Sequence, residues 1–159
     1  MSARAPSRLA TLTFSVYRYQ AGRADWFAAG LPREGTDAHV PRFADVAKRD
    51  VQTCRLDERA GEVRSRLGAD SGEPLIVVDP DRIVLGVVNP EALSGDPATP
   101  VEEVMDSGPV TFRPNLRAGE MPEYFKKRRI EHAPVTTSDG ELVGLVHLQP
   151  QNSGHGEAR

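Results

Sequence analysis

The residues best suited to chemistry are thinly spread along this chain of 159 residues. Cys54 is the one cysteine, which excludes an internal disulfide and any multi-cysteine metal site. The four histidines, His39, His132, His147 and His155, show neither His-x-x-x-His nor His-Glu-x-x-His spacing, so no metal centre is expected. The densest charge is Lys126-Lys127-Arg128-Arg129, after Tyr124 and Phe125. Such a run either contacts a phosphate or an acidic partner, or complements a helix C-terminus. Thr53 and Thr111 offer hydroxyls 58 positions apart, and Asn89 and His147 end two apolar runs at the same spacing.

That spacing belongs to a repeat. "RAGEVRSRL" from Arg59 and "RAGEMPEYF" from Arg117 open identically, and Gly86 in "VLGVV" matches Gly144 in "LVGLV". Pro74 and Pro134, each before an apolar run, are 60 apart, which implies a two-residue indel. Each copy reads as a short strand (around 52–54 and 110–112), an amphipathic helix, and two β-branched strands around a turn. The first helix is expected to end at Gly68. A helix should then follow, from Pro90 to Leu93 and from Thr99 to Met105. Thr99 and Glu102 have capping-box spacing, with Pro100 at the first helical position.

The segment "PRFADV" from Pro41 precedes the first copy as "PVEEVM" from Pro100 precedes the second, at an offset of 59. The helix it starts is expected to pack on the second copy and close a pseudo-twofold unit, because one βαββ unit leaves its sheet half covered. Upstream, Leu12, Phe14 and Val16 alternate with polar or larger neighbours, which predicts a half-buried strand. A short helix follows over 21–30, with Trp26 and Phe27 as anchors.

The order strand, helix, strand, strand, helix, duplicated from Arg49 to Gln149, resembles the CBS-domain pair, or Bateman module. The stretches "EHAPVTTSDGELVGLVHL" (131–148) and "GEPLIVVDPDRIVLGVVNPEAL" (72–93) carry the resemblance. It implies an α/β (α+β) fold of two βαββα CBS repeats in pseudo-twofold relation, with an N-terminal strand-helix extension. The expected divisions are an extension at 1–48, repeats at 49–105 and 106–150, and a polar tail at 151–159. "YQAGRADWFAAGLPREG" (19–35) resembles the closing segment of a rhodanese domain, but no cysteine precedes it, which opposes sulfurtransferase activity through Cys54.

The resemblance also implies a cleft for an adenine nucleotide or S-adenosylmethionine, with no cofactor required and no catalysis. Its candidate residues are Thr53, Glu73, Pro74, Asn89, Thr111, His132, Ala133, Pro134 and His147, with Lys126 to Arg129 as phosphate or partner contacts. The family's ribose-binding aspartate is absent: Ala92 and Pro150 stand in its place. A ligand-free dimerisation or protein-interaction platform is therefore the alternative, and a homodimer through the helical faces suits both. Twenty basic against 23 acidic side chains give a net charge of −3, which does not suggest a nucleic-acid or membrane binder. No stretch approaches the roughly 20 apolar residues of a membrane helix, and the expected location is the cytoplasm.

Overall fold

The computed structural model describes residues 9–17, 19–20, 22–67, 72–119 and 130–148. Its elements run α1 (Gly22–Ala28), α2 (Phe43–Val46), β1 (Thr53–Cys54), α3 (Ala60–Arg66), β2 (Leu75–Val78) and β3 (Val84–Val88). A 3-10 turn at Pro90–Ser94 leads to α4 (Val101–Val104), β4 (Asp106–Ser107), β5 (His132–Thr136) and β6 (Leu142–His147).

Backbone pairing shows the duplication residue by residue. In the first repeat Cys54 pairs with Val77 in parallel, and Leu75 with Val88 and Val77 with Gly86 antiparallel. In the second, Phe112 pairs with Val135, Ala133 with Val146 and Val135 with Gly144. The register shifts after Val77 and again after Val135, so even the β-bulge is repeated. Every one of these pairs moves by 58. The two-residue indel inferred from the prolines is therefore absent: Pro74 precedes its strand, whereas Pro134 lies inside β5 at the place of Ile76. The segment offset of 59 is likewise 58, because the Arg42–Arg117 bridge mirrors the Arg59–Pro100 bridge.

Each incoming segment crosses to the other repeat. In the four-stranded sheet β1-β2-β3-β4, Asp106 pairs with Val87, and in the second hairpin Lys48 pairs with Leu145. The expected placement of the pre-repeat helix on the second repeat is thus observed. Both crossings need a glycine beneath them. A Cβ on Gly86 would meet Met105 Sδ at 2.6 Å, and one on Gly144 would meet the Lys48 carbonyl oxygen at 2.6 Å. The two hairpins join edge to edge at Ile83 and Glu141.

Three cores follow from strand alternation. Leu75 and Val77 face α3, with Ala60, Val63, Leu93 and Val101. Phe43 from α2 packs on Phe112, Ala133, Val135 and Val146, its ring 4.4 Å from that of Phe112. Ile76 and Val78 point the other way, to Leu142 and Leu145, and glue the repeats together. All four residues of β2 are buried, as a strand covered on both faces requires.

The extension departs from expectation at its start. No strand forms over 12–16: residues 9–11 are helical, 12–13 turn with Thr13 at φ 65, and 14–17 have no regular structure. Leu12 and Phe14 are well exposed, and among the described residues neither pairs with a strand. The helix at 22–28 forms as expected and docks by polar contacts: Ser138 N–H donates to Asp25 Oδ1, and Arg49 Nη2 to the Ala28 carbonyl. Pro100 is not the first helical residue but stands one before it, in the bridge with Arg59, and no side-chain cap is made. The first strand expected at 110–112 reduces to the single bridge at Phe112. The expected stop at Gly68 lies outside the described residues, and α3 ends at Arg66.

Candidate ligand cleft

One hollow of about 340 Å³ opens where the incoming segment meets the first repeat, lined by Lys48, Asp50, Gln52, Leu67, Gly72, Glu73 and Pro74. Its walls follow from the crossing just described. Lys48 is held by reciprocal backbone hydrogen bonds with Leu145 of β6, and the Gln52 carbonyl accepts from Ile76 N–H at the start of β1. Gly72 to Pro74 lead into β2.

Ionisable groups converge at its rim. Lys48 Nζ donates to Glu73 Oε2 at 2.7 Å, and His147 Nε2 lies 3.3 Å from Glu73 Oε1. His132 and His147 are direct cross-strand partners, their rings 4.5 Å apart and edge to face. The hydrogen bond from Lys48 holds the Glu73 carboxyl below its usual range, helped by His147. Burial pushes the His132 imidazole below its ordinary value, and the neighbouring His147 adds to that. The rim therefore offers an ammonium, a carboxylate and two imidazoles beside the apolar wall of Leu67.

Of the residues singled out from sequence, Glu73, His132 and His147 come together here, with Pro74 in the wall. Ala133 and Pro134 are buried in β5 behind the rim. Thr53 is half-buried in β1, its carbonyl taken by Arg66 Nη2. Thr111 sits in the other repeat and receives the Thr136 hydroxyl at 3.3 Å. Asn89 is exposed, and its carbonyl accepts from Ala92 N–H in the 3-10 turn. Lys126, Lys127, Arg128 and Arg129 lie outside the described residues. Lys48, Asp50 and Gln52 were missed: Lys48 lies ahead of the first repeat and is placed by its crossing to Leu145, and Asp50 and Gln52 belong to no motif that singled them out.

The pseudo-twofold axis makes a second set of equivalent positions, and their charge is different. Lys48 corresponds to Asp106, Glu73 to Glu131, His147 to Asn89 and His132 to Pro74. One side carries a cation, a carboxylate and two imidazoles; the other carries two carboxylates and no cation.

A larger hollow of about 540 Å³ lies under α1, against the turns at Arg82 and Thr137 to Val143. It is shallower and depends on the extension, so the smaller cleft, at whose rim Lys48, Glu73 and His147 meet, is the stronger candidate. Among the described residues no group of three or more His, Cys, Asp or Glu is arranged to hold a metal. No described helix is long and apolar enough to cross a membrane.

Comparison with known proteins agrees with this architecture. The CBS-domain family model matches residues 101–149. The chain has the fold of a CBS pair. The CBS-domain pair of protein MJ0100, solved with 5'-methylthioadenosine and S-adenosyl-L-methionine, superposes with a TM-score of 0.59 at 17% identity, covering 68% of this chain and 90% of that one. The cytosolic domain of the Mg2+ channel MgtE in complex with ATP gives 0.59 at 24% identity, covering 67% of this chain and 46% of that one. In sequence, arabinose 5-phosphate isomerase GutQ of Escherichia coli O6:H1 is 37% identical over 118 residues, 70% of this chain. The CBS-pair chain spans about a third of that relative's length, 35%.

Proposed function

We propose that this CBS pair is a non-catalytic regulatory module that binds one adenine nucleotide or adenosyl metabolite in the Lys48–Glu73–His147 cleft. The observation that carries the reading is the charge asymmetry across the pseudo-twofold axis. A phosphate needs a cation, and Lys48 lies in one cleft where Asp106 lies in the other. A ribose diol needs a carboxylate acceptor. Ala92 does not supply it and Pro150 cannot, but Glu73 at the same rim can. Leu67 and the backbone at Gly72 to Pro74 would frame the base. A phosphate that draws Lys48 away would leave Glu73 to His147, so occupancy changes the tie between repeats.

A non-catalytic role suits the cysteine. Cys54 is 2% exposed, and burial pushes its thiol up to about 11, with Glu58 adding to the rise. Such a thiol is a poor nucleophile. The ligand-free platform is the competing reading, favoured by Asn89, which is spent on an exposed turn.

Calorimetric titration with AMP, ADP, ATP, NAD and S-adenosylmethionine tests the proposal. Saturable binding at one site per chain, weakened by Lys48→Ala and untouched by Asn89→Ala, supports it. Absence of heat with every ligand, from a folded protein, leaves the interaction platform.

A further inference from the structure

Arg23, Arg33 and Arg42 converge on the ring of Phe27 in the extension. Their guanidinium carbons stand 5.8, 5.2 and 5.6 Å from its centroid. A ring has two faces, so at least two of these cations share one. Each gains from the ring, but together they repel, and more strongly as water is excluded.

The acids nearby balance only one of them. Asp45 Oδ2 accepts from Arg33 Nη1 at 3.0 Å and from the Arg42 backbone N–H at 2.8 Å. Asp37 Oδ2 is taken by Arg117 Nη2 at 2.6 Å. Among the described residues neither Arg23 nor Arg42 has a carboxylate partner. Arg42 is 6% exposed, its Nη1 reaches only the Asn115 carbonyl at 3.3 Å, and its Nε is buried with no acceptor. A buried guanidinium N–H without an acceptor costs free energy that an added acceptor would recover.

We propose that this arginine cluster is an oxyanion site that takes a phosphoryl group, free or on a small monoester. Guanidinium forks match the oxygens of such a group in pairs, and its charge removes the repulsion among the three cations. The site spans α1, the loop after it and the residue before α2, and it shares no residue with the Lys48 cleft, so it does not rest on the nucleotide reading.

Trp26, the one tryptophan of the chain, precedes Phe27 and reports on the site. The full-length protein is titrated with inorganic phosphate, and separately with glycerol 3-phosphate, at ionic strength held constant with chloride. Trp26 emission and the phosphorus NMR line width are followed. The expected result is saturation by phosphate, weakened about tenfold or more in Arg23→Gln, the size of a lost charge-assisted hydrogen bond. Arg23 is exposed, so this variant keeps the fold. Equal constants for both anions identify the bare phosphoryl group as the ligand, and tighter binding of the ester identifies the monoester. A response matched by chloride alone, no saturation in either signal, or unchanged binding in Arg23→Gln overturns the proposal. So does binding lost in Lys48→Gln but kept in Arg23→Gln, which would put phosphate in the cleft.

Discussion

His147 Nε2 lies 3.3 Å from Glu73 Oε1, and the two residues belong to different repeats. Glu73 is shared with Lys48, which itself is threaded onto the second repeat through Leu145. All three side chains are a third or more exposed, so solvent screens the pairs. Glu73→Gln should therefore change stability by only about 0–1 kcal/mol in urea titrations. The folded state holds the Glu73 carboxyl below its ordinary 4.5, mainly through the Lys48 hydrogen bond. A depressed acid contributes stability that is present above 4.5 and lost as pH falls through the folded value. The difference between wild type and Glu73→Gln should vanish at low pH; a difference that grows there would contradict the assignment.

His132 offers a second pH test. Burial, then His147, lowers it from 6.5. For a histidine with a depressed folded value, the contribution to stability is present above 6.5 and lost as pH falls through that value. Its ring protons should titrate below 6.5 by NMR. In His147→Asn the midpoint should rise, yet stay below 6.5, because burial is the larger cause. A midpoint that falls on this substitution would show that His147 does not act through its charge.

The two crossing glycines should respond unequally to alanine. In Gly144→Ala the new methyl meets the Lys48 carbonyl, which is fixed by pairing. In Gly86→Ala its nearest neighbour is the flexible end of Met105, although the Asp106 carbonyl stands at 3.1 Å. Overpacking costs about 1–3 kcal/mol, and Gly144→Ala should fall at the upper end. Chemical denaturation of both variants decides the order.

Phe43 and Phe112 are each 2% exposed and in ring contact. Phe43→Ala should cost about 3–5 kcal/mol, since it empties the core under α2. The double variant with Phe112→Ala should cost less than the sum of the singles, because the second truncation removes a contact already lost. Strict additivity would mean that the rings do not interact.

Cys54 should resist thiol reagents in the native state at pH 8 and react rapidly once urea exposes it. Both burial and its raised value near 11 act in that direction. Fast native labelling would show that β1 opens readily.

Much of the fold was legible from local pattern. "PLIVVD" and "RIVLGVV" read as a hairpin because β-branched runs flank an Asp-containing turn, and β2 and β3 lie there. The repeated Gly86 and Gly144 carried the offset of 58, which the matching backbone pairs of the two hairpins obey. The prolines misled, because a proline marks a local backbone preference and not an equivalent place: Pro134 is inside its strand and Pro74 outside. Leu12 to Val16 misled too, since alternation describes one edge of a pair and says nothing of a partner.

By itself the sequence determined the duplication, the hairpins, the isolated cysteine and the loss of the family's ribose aspartate, since these depend on residue type and short spacing. Tertiary structure alone decided which residues face one another. Lys48, 25 positions before Glu73, reaches it because its segment crosses to β6, and His147 reaches the same carboxylate from 74 positions away. Side-chain charge is written in the sequence, but its neighbours are set by packing across the pseudo-twofold axis, where buried apolar strands bring distant segments together.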